Sequence, residues 1–357
     1  MKIGIVGLPN AGKSTLFNAL TRAGAPTGDY PFTTVEPNVA IAAVPDERLG
    51  PIGATVGSSK LVPVSIAFHD IAGLVKGASE GEGLGNRFLG SIRETDVICH
   101  VVRCHLGSGV PHPDGKVDPA ADIDTIETEL LLADFEQAER RLERVTKSAR
   151  SGDPVAVAER EWLEAVRDAL AAGRPVRSVA PPEGAPDGPR QLHALTSKPV
   201  LYVANTDEES QALPEAVAAR AAESGAAAVA VSARLEAELV ELEPAEAEEI
   251  RASYGVAESG LERLVGAAYE LLGLITFFTA DEGKEAMARP LRRGATAWEA
   301  AGEVHTEIQE RFVKAEVIAW RDLVECGGFV AARDRGLLRI EGRDYEVADG
   351  DLVHIRT

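Results

Sequence analysis

Short runs of apolar, mostly β-branched residues recur through the first two thirds of the chain, at 2–6, 39–44, 64–70, 97–103, 200–204 and 227–232. They are too continuously apolar for strands with one wet face, and longer polar or amphipathic segments separate them. That predicts buried parallel strands in a doubly wound α/β sheet. Between the fourth and fifth runs the period changes. Leu131, Phe135, Ala138, Leu142 and Val145 are spaced 4, 3, 4 and 3 residues apart, the seam of a long charged helix packed on another helix. Ser151-Gly152-Asp153-Pro154 stops that helix, and Leu163, Val166 and Leu170 open a second stripe, so the pair predicts an antiparallel helical arm. A proline- and glycine-rich stretch at 180–189 leads back to the sheet. From 275 the pattern shifts again. A strand at 275–279, a helix at 298–312 and short strands joined by turns such as Asp349-Gly350-Asp351 predict a small α+β module. The expected division is a discontinuous α/β domain over 1–125 and 196–274, a helical coiled-coil insertion over 126–195, and a third domain over 275–357.

Composition narrows the partners. The 357 residues are 45% hydrophobic and carry a net charge of −20. Such a surface repels phosphate backbones, so no DNA partner is expected and any nucleic-acid contact needs a local basic patch. One candidate patch is the arm: residues 137–160 hold six Lys or Arg against four Asp or Glu. The three cysteines, Cys99, Cys104 and Cys326, have no CxxC spacing and read as reduced thiols rather than a zinc site. No apolar run approaches the roughly 20 residues that span a bilayer, and the chain enters its first strand without a signal-peptide layout. The expectation is a cytoplasmic protein with no membrane partner.

The sharpest local signal follows the first strand. Gly7-Leu8-Pro9-Asn10-Ala11-Gly12-Lys13-Ser14 is a GxxxxGK[ST] loop that opens a helix, with Thr15 next. Backbone amides from Asn10 through Thr15 can turn inward on a phosphate, Lys13 can bridge β- and γ-oxygens as a catalytic cation, and the Ser14 hydroxyl can ligate Mg²⁺. Asp70-Ile71-Ala72-Gly73 ends the third strand of the sheet. Asp70 can hold Mg²⁺ through a water, and the Gly73 amide can sense the γ-phosphate. The loop between them carries Thr33 and Thr34, of which Thr34 is the better candidate to complete the metal shell. Leu74 stands where related switch proteins orient the attacking water with glutamine, so that task falls to another residue.

After the 200–204 strand comes Asn205-Thr206-Asp207-Glu208. A guanine-reading site has Asn-Lys-x-Asp there, the aspartate accepting from two guanine N–H groups. Thr206 replaces the lysine and Glu208 the aspartate. The extra methylene displaces the acceptor pair, and mismatched polar groups cost about 1–3 kcal/mol each, enough to favour ATP. Asp207, one place early, could still serve guanine by a register shift. Ser232 and Ala233, with Arg234, form the second base-contacting loop. His69 reads as structural, since alternation turns it away from the face of Asp70.

Together these motifs resemble the Obg-like ATPase (YchF) family. Asp70-Ile71-Ala72-Gly73-Leu74-Val75-Lys76-Gly77-Ala78-Ser79, continuing Glu80-Gly81-Glu82-Gly83-Leu84-Gly85-Asn86, is similar to its switch segment, and Asn205-x-x-Glu208 to its base motif. The tail from Ile275 through Arg292-Arg293-Gly294, His305-Thr306 and Asp349-Gly350-Asp351 resembles its C-terminal TGS domain, a β-grasp fold. The resemblance spans essentially the whole chain, although it stops at His354-Ile355-Arg356-Thr357, a little short of the family's usual ending. It implies slow ATP hydrolysis with GTP accepted less well, association with ribosomes, and a water-positioning histidine on a mobile loop, matched by His112. Asn10 matches a P-loop asparagine that holds potassium in some related enzymes, making K⁺ a second candidate cofactor beside Mg²⁺. Three readings stay open: an ATPase switch, a GTPase of the same architecture, and a nucleotide-gated binding protein in which hydrolysis is incidental.

Overall fold

The computed structural model describes residues 1–23, 38–71, 84–106, 111–113, 115–210, 212–281 and 283–357. Its strands in chain order are β1 (Lys2–Val6), β2 (Val39–Ala43), β3 (Lys60–Val62), β4 (Ser65–Asp70), β5 (Val97–Arg103), β6 (Val200–Asn205) and β7 (Ala227–Val231). β8 (Leu274–Ala280), β9 (Glu285–Arg292), β10 (Lys314–Ala319), β11 (Arg339–Glu341) and β12 (Asp351–Arg356) follow. The chain forms two compact units, one of residues 1–42 and 67–268 and one of 43–66 and 269–357.

In the first unit the sheet order is β2-β4-β1-β5-β6-β7. β1 pairs in parallel with β4 and β5, and the β5/β6 and β6/β7 pairs are parallel as well. β5 and β6 are buried along their whole length, as strands covered on both faces must be. On one side of β1 the chain places β2 at the edge and then β4 between it and β1, and on the other it later builds outward through β5, β6 and β7. The order therefore reverses at β1, and in open α/β sheets the crevice at the carboxyl ends of such strands is where ligands bind.

The helical arm follows β5. Its first helix, Pro119–Ala149, starts at Asp118, whose carboxylate accepts from Ala121 N. The second, Pro154–Ala171, starts at Asp153, which accepts from Val155 N, after a left-handed turn at Gly152 (φ +80°). Ala138 and Val145 of the predicted seam pack with Leu163, Val166 and Leu170 in one core, flanked by Leu131, Phe135 and Leu142. Asp134, fully buried, fixes the arm's return to the sheet. It accepts from Leu195 N at 2.8 Å, Thr196 N at 2.7 Å and Thr196 Oγ1 at 2.7 Å.

The second unit has the sheet order β11-β10-β12-β8-β9-β3. Helix Ala297–Val304, opened by a Thr296–Glu299 capping box, supplies Ala297, Ala300 and Ala301 to a core with Phe277, Leu291, Phe312, Val317 and Val353. The single helix expected at 298–312 is two, Ala297–Val304 and Thr306–Glu310, because His305 is extended (φ −170°) and its Nδ1 caps the second by accepting from Glu307 N. Residues 43–66, placed by the sequence pattern in the α/β domain, belong to this unit: β3 pairs in parallel with β9, and Arg48 lies 5.2 Å over the Phe278 ring while it donates to Asp349 at 2.8 Å. Among the described residues no helix is long and apolar enough to cross a membrane.

Candidate functional site

The loop after β1 is shaped by two backbone positions. Asn10 is left-handed (φ +65°), and Gly12 (φ +96°) sits so close to Asn205 that an added Cβ would lie 2.1 Å from Asn205 Nδ2. Only glycine fits there. Helix Lys13–Ala23 begins directly afterwards, so its free amide end faces the loop. Lys13 is folded over the loop, donating from Nζ to Gly7 O at 3.0 Å and to Leu8 O at 2.8 Å. Burial holds its ammonium below the usual lysine range, and the Asp70 carboxylate opposes that shift. The converse holds for Asp70, pushed up by burial and drawn down by Lys13.

Asn205, at the end of β6, ties the two loops of the site together. Its Nδ2 donates to Ala11 O at 2.9 Å and its Oδ1 accepts from Ala233 N at 3.0 Å. Ser232 caps the helix Ala233–Leu239 by accepting from Leu235 N. A cavity of about 770 Å³ opens above this stitch, lined by Asn10, Gly12, Lys13, Ser14 and Thr15 on one side and by Asn205, Thr206, Glu208, Ser232 and Ala233 on the other. That size suits a nucleotide-sized ligand. Thr206 is buried, its N–H donating to Val231 O. Glu208 faces Arg234, whose Nε lies 3.0 Å from Glu208 Oε1 and which also reaches Glu238.

The sequence-derived residues do not all converge. Thr34 and Gly73, with Leu74, lie outside the described residues. Asp70 ends β4 in register with Ile5, two residues before the phosphate loop, and lines a separate, smaller cavity of about 180 Å³ with Lys2, Glu94 and Thr95. Ser14 and Asp70 offer a hydroxyl and a carboxylate, the hard oxygen donors that Mg²⁺ takes. Asn10 Nδ2 donates to Pro111 O at 3.1 Å, so any potassium role falls to its Oδ1.

His112, the loop histidine that the resemblance marks as water-positioning, is turned to the arm and not to the cavity. Its side chain is 4% exposed and its Nε2 lies 3.1 Å from Asp122 Oδ2, a carboxylate equally buried. It does not line the large cavity. The reason is the partner: Asp122 is in the first turn of the arm helix, ten residues on, where the returning chain meets it.

Comparison with known proteins places the chain. A family model described as a 50S ribosome-binding GTPase matches residues 2–145, and the model of the YchF-type GTPase C-terminal region, described as a protein of unknown function (DUF933), matches 274–357. The "Ribosome-binding ATPase YchF" of Bacillus subtilis (strain 168) is 47% identical over 359 residues, covering 99% of this chain and 98% of that protein. Its counterpart in Escherichia coli O157:H7 is 44% identical over 356 residues, with 99% and 98% covered. The chain belongs to the YchF family. The solved YchF GTPase of Schizosaccharomyces pombe agrees in fold, with a TM-score of 0.89 at 33% identity over 100% of this chain and 97% of that one.

Within this family member the sequence reading missed His105, Asp122 and the engagement of Arg234 with Glu208. His105 lines the large cavity just beyond β5. Burial, with Arg103 adding to it and Asp207 opposing, pushes its imidazole down. Its place at the carboxyl end of a central strand was the available signal.

Proposed function

We propose that this chain is an ATP-hydrolysing switch that accepts GTP less well and docks on ribosomes in the cytoplasm. Glu208 carries the nucleotide assignment: it occupies the guanine-reading position with one methylene too many, and its carboxylate is engaged by Arg234 at 3.0 Å. Lys13 would move from the loop carbonyls to the β- and γ-phosphates, and the amides of residues 10–15 would cradle them. Ser14, Thr34 and, through a water, Asp70 would hold Mg²⁺, whose charge offsets that of the triphosphate. Gly73 would report the γ-phosphate to the switch segment, and His112 would orient the attacking water in place of a glutamine. The bacterial relatives' names support ATP hydrolysis and ribosome binding, and the TGS-like second unit and the arm offer surfaces for such a partner.

Competitive titration of ATP and GTP tests this reading. ATP is expected to bind more tightly, and Glu208→Asp to shift the ratio toward GTP by about tenfold. GTP binding at least tenfold tighter to the unaltered chain would refute the ATP assignment. A GTPase reading is kept by one observation, that Asp207 lines the same cavity, and the same titration decides it.

A further inference from the structure

His112, as placed, cannot touch an attacking water: its side chain is 4% exposed, its Nε2 is bonded to Asp122, and it is absent from the cavity wall. Yet the segment that carries it is held against the phosphate loop, because Asn10 Nδ2 donates to the carbonyl of Pro111, the preceding residue, at 3.1 Å. Adjacent residues, Pro111 and His112, are therefore anchored one to the nucleotide loop and the other to the arm. Asp122 itself is fixed by its helix. It stands in the first turn of Pro119–Ala149, its N–H donating to Asp118 O at 3.0 Å, with Ile123 and Ile126 of the next turn buried in the core that includes Val6, Leu8 and Ile98.

We infer that Asp122 is a positioning residue that holds His112 withdrawn, so that turnover requires the imidazole to leave this carboxylate. The inference rests on the proposed water-orienting role of His112. A buried charge-assisted hydrogen bond stabilises the withdrawn arrangement, and weakening it enlarges the fraction of molecules with His112 at the phosphates. Because the carboxylate belongs to the root of the arm, a partner that displaces that first turn would release His112 by the same route.

The test is steady-state ATP hydrolysis by the full chain bearing Asp122→Asn, Asp122→Ala, His112→Ala or both alanine changes. Asp122→Ala is expected to raise kcat about fivefold with KM changed less than about twofold, and Asp122→Asn, which keeps a hydrogen-bond acceptor, to raise it less. The double variant is expected to match His112→Ala, since a withdrawn imidazole that no longer exists needs no release. A purely structural role for Asp122 would lower kcat and thermal midpoint together and would not depend on His112. If His112→Ala lowers turnover while both Asp122 variants leave kcat unchanged or lower it, the positioning role is overturned and the catalytic reading survives. If His112→Ala leaves turnover untouched, the catalytic reading fails and this inference with it. Should Asp122→Ala not fold, Asp122→Asn alone decides.

Discussion

His100 lies in β5, 2% exposed, with its ring tilted 5.7 Å from Tyr202 and its Nε2 without a hydrogen-bond partner among the described residues. Burial, aided by the nearby Lys13 charge, pushes its imidazole down from 6.5 to about 3. The unfolded chain therefore takes up a proton below pH 6.5 that the folded chain refuses until about pH 3, so stability falls as pH drops through that interval. By pH 5 the loss is about 2 kcal/mol. Replacing His100 with Leu should flatten the urea midpoint between pH 7 and pH 5, and an unchanged pH slope would contradict this. Other single residues were legible to different degrees. Gly12 and Lys13 were read directly, because a phosphate loop imposes its geometry within eight residues. Asn205 was read as a base contact; that its amide also joins Ala11 to Ala233 is a tertiary fact that no local pattern encodes. His112 was read as a water-positioning histidine on a mobile loop, without its Asp122 partner, which lies on a helix whose docking the sequence does not state.

At the level of elements, the arm was the most legible feature: a 4-3-4-3 seam, a Gly152-Asp153-Pro154 break and a second stripe suffice to specify two antiparallel helices. Its attachment was not. Asp134 sits on the seam helix among apolar neighbours and reads as a surface charge until three donors from 195–196 converge on it. Burial raises its carboxyl and the hydrogen bonds from Thr196 oppose that. Asp134→Ala leaves those donors buried and unpaired, at about 1–3 kcal/mol each if water cannot reach them. Loss of at least about 3 kcal/mol in chemical denaturation, with Asp134→Asn losing less, is the expected outcome. A loss under about 1 kcal/mol would show that the arm is anchored by its apolar core alone. Strand β9, covered only by the general expectation of short strands, contains Pro290 and three charged residues, Glu285, Arg289 and Arg292, so its pattern argues against a buried strand. The break at His305 follows from one extended residue, below the resolution of helical periodicity.

On the scale of the whole molecule, the two-unit division departs most from the sequence pattern. Residues 43–66 are part of the second unit, and nothing in a three-residue strand names a partner more than two hundred positions away. A chain ending at residue 268 would retain helix Leu49–Val56 and β3 without β8 and β9, leaving Val62, Ile52 and Val56, all buried in the intact chain, without their packing. Such a truncation should bind a hydrophobic dye and lose its cooperative thermal transition, whereas removal of 43–66 as well, replaced by a short glycine-serine linker, should restore a soluble first unit. Equal behaviour of the two truncations would argue that 43–66 is self-sufficient.

The pairing of β3 with β9 also has a consequence in time. A chain made from its amino terminus at roughly 5–20 residues per second exposes Lys60–Val62 some tens of seconds, at the slower rate, before Glu285–Arg292 emerges. Throughout that interval an apolar segment already outside the ribosomal exit lacks its mate, so the newborn polypeptide is most vulnerable to chaperone capture or proteolysis in its earliest portion and is rescued only by its last.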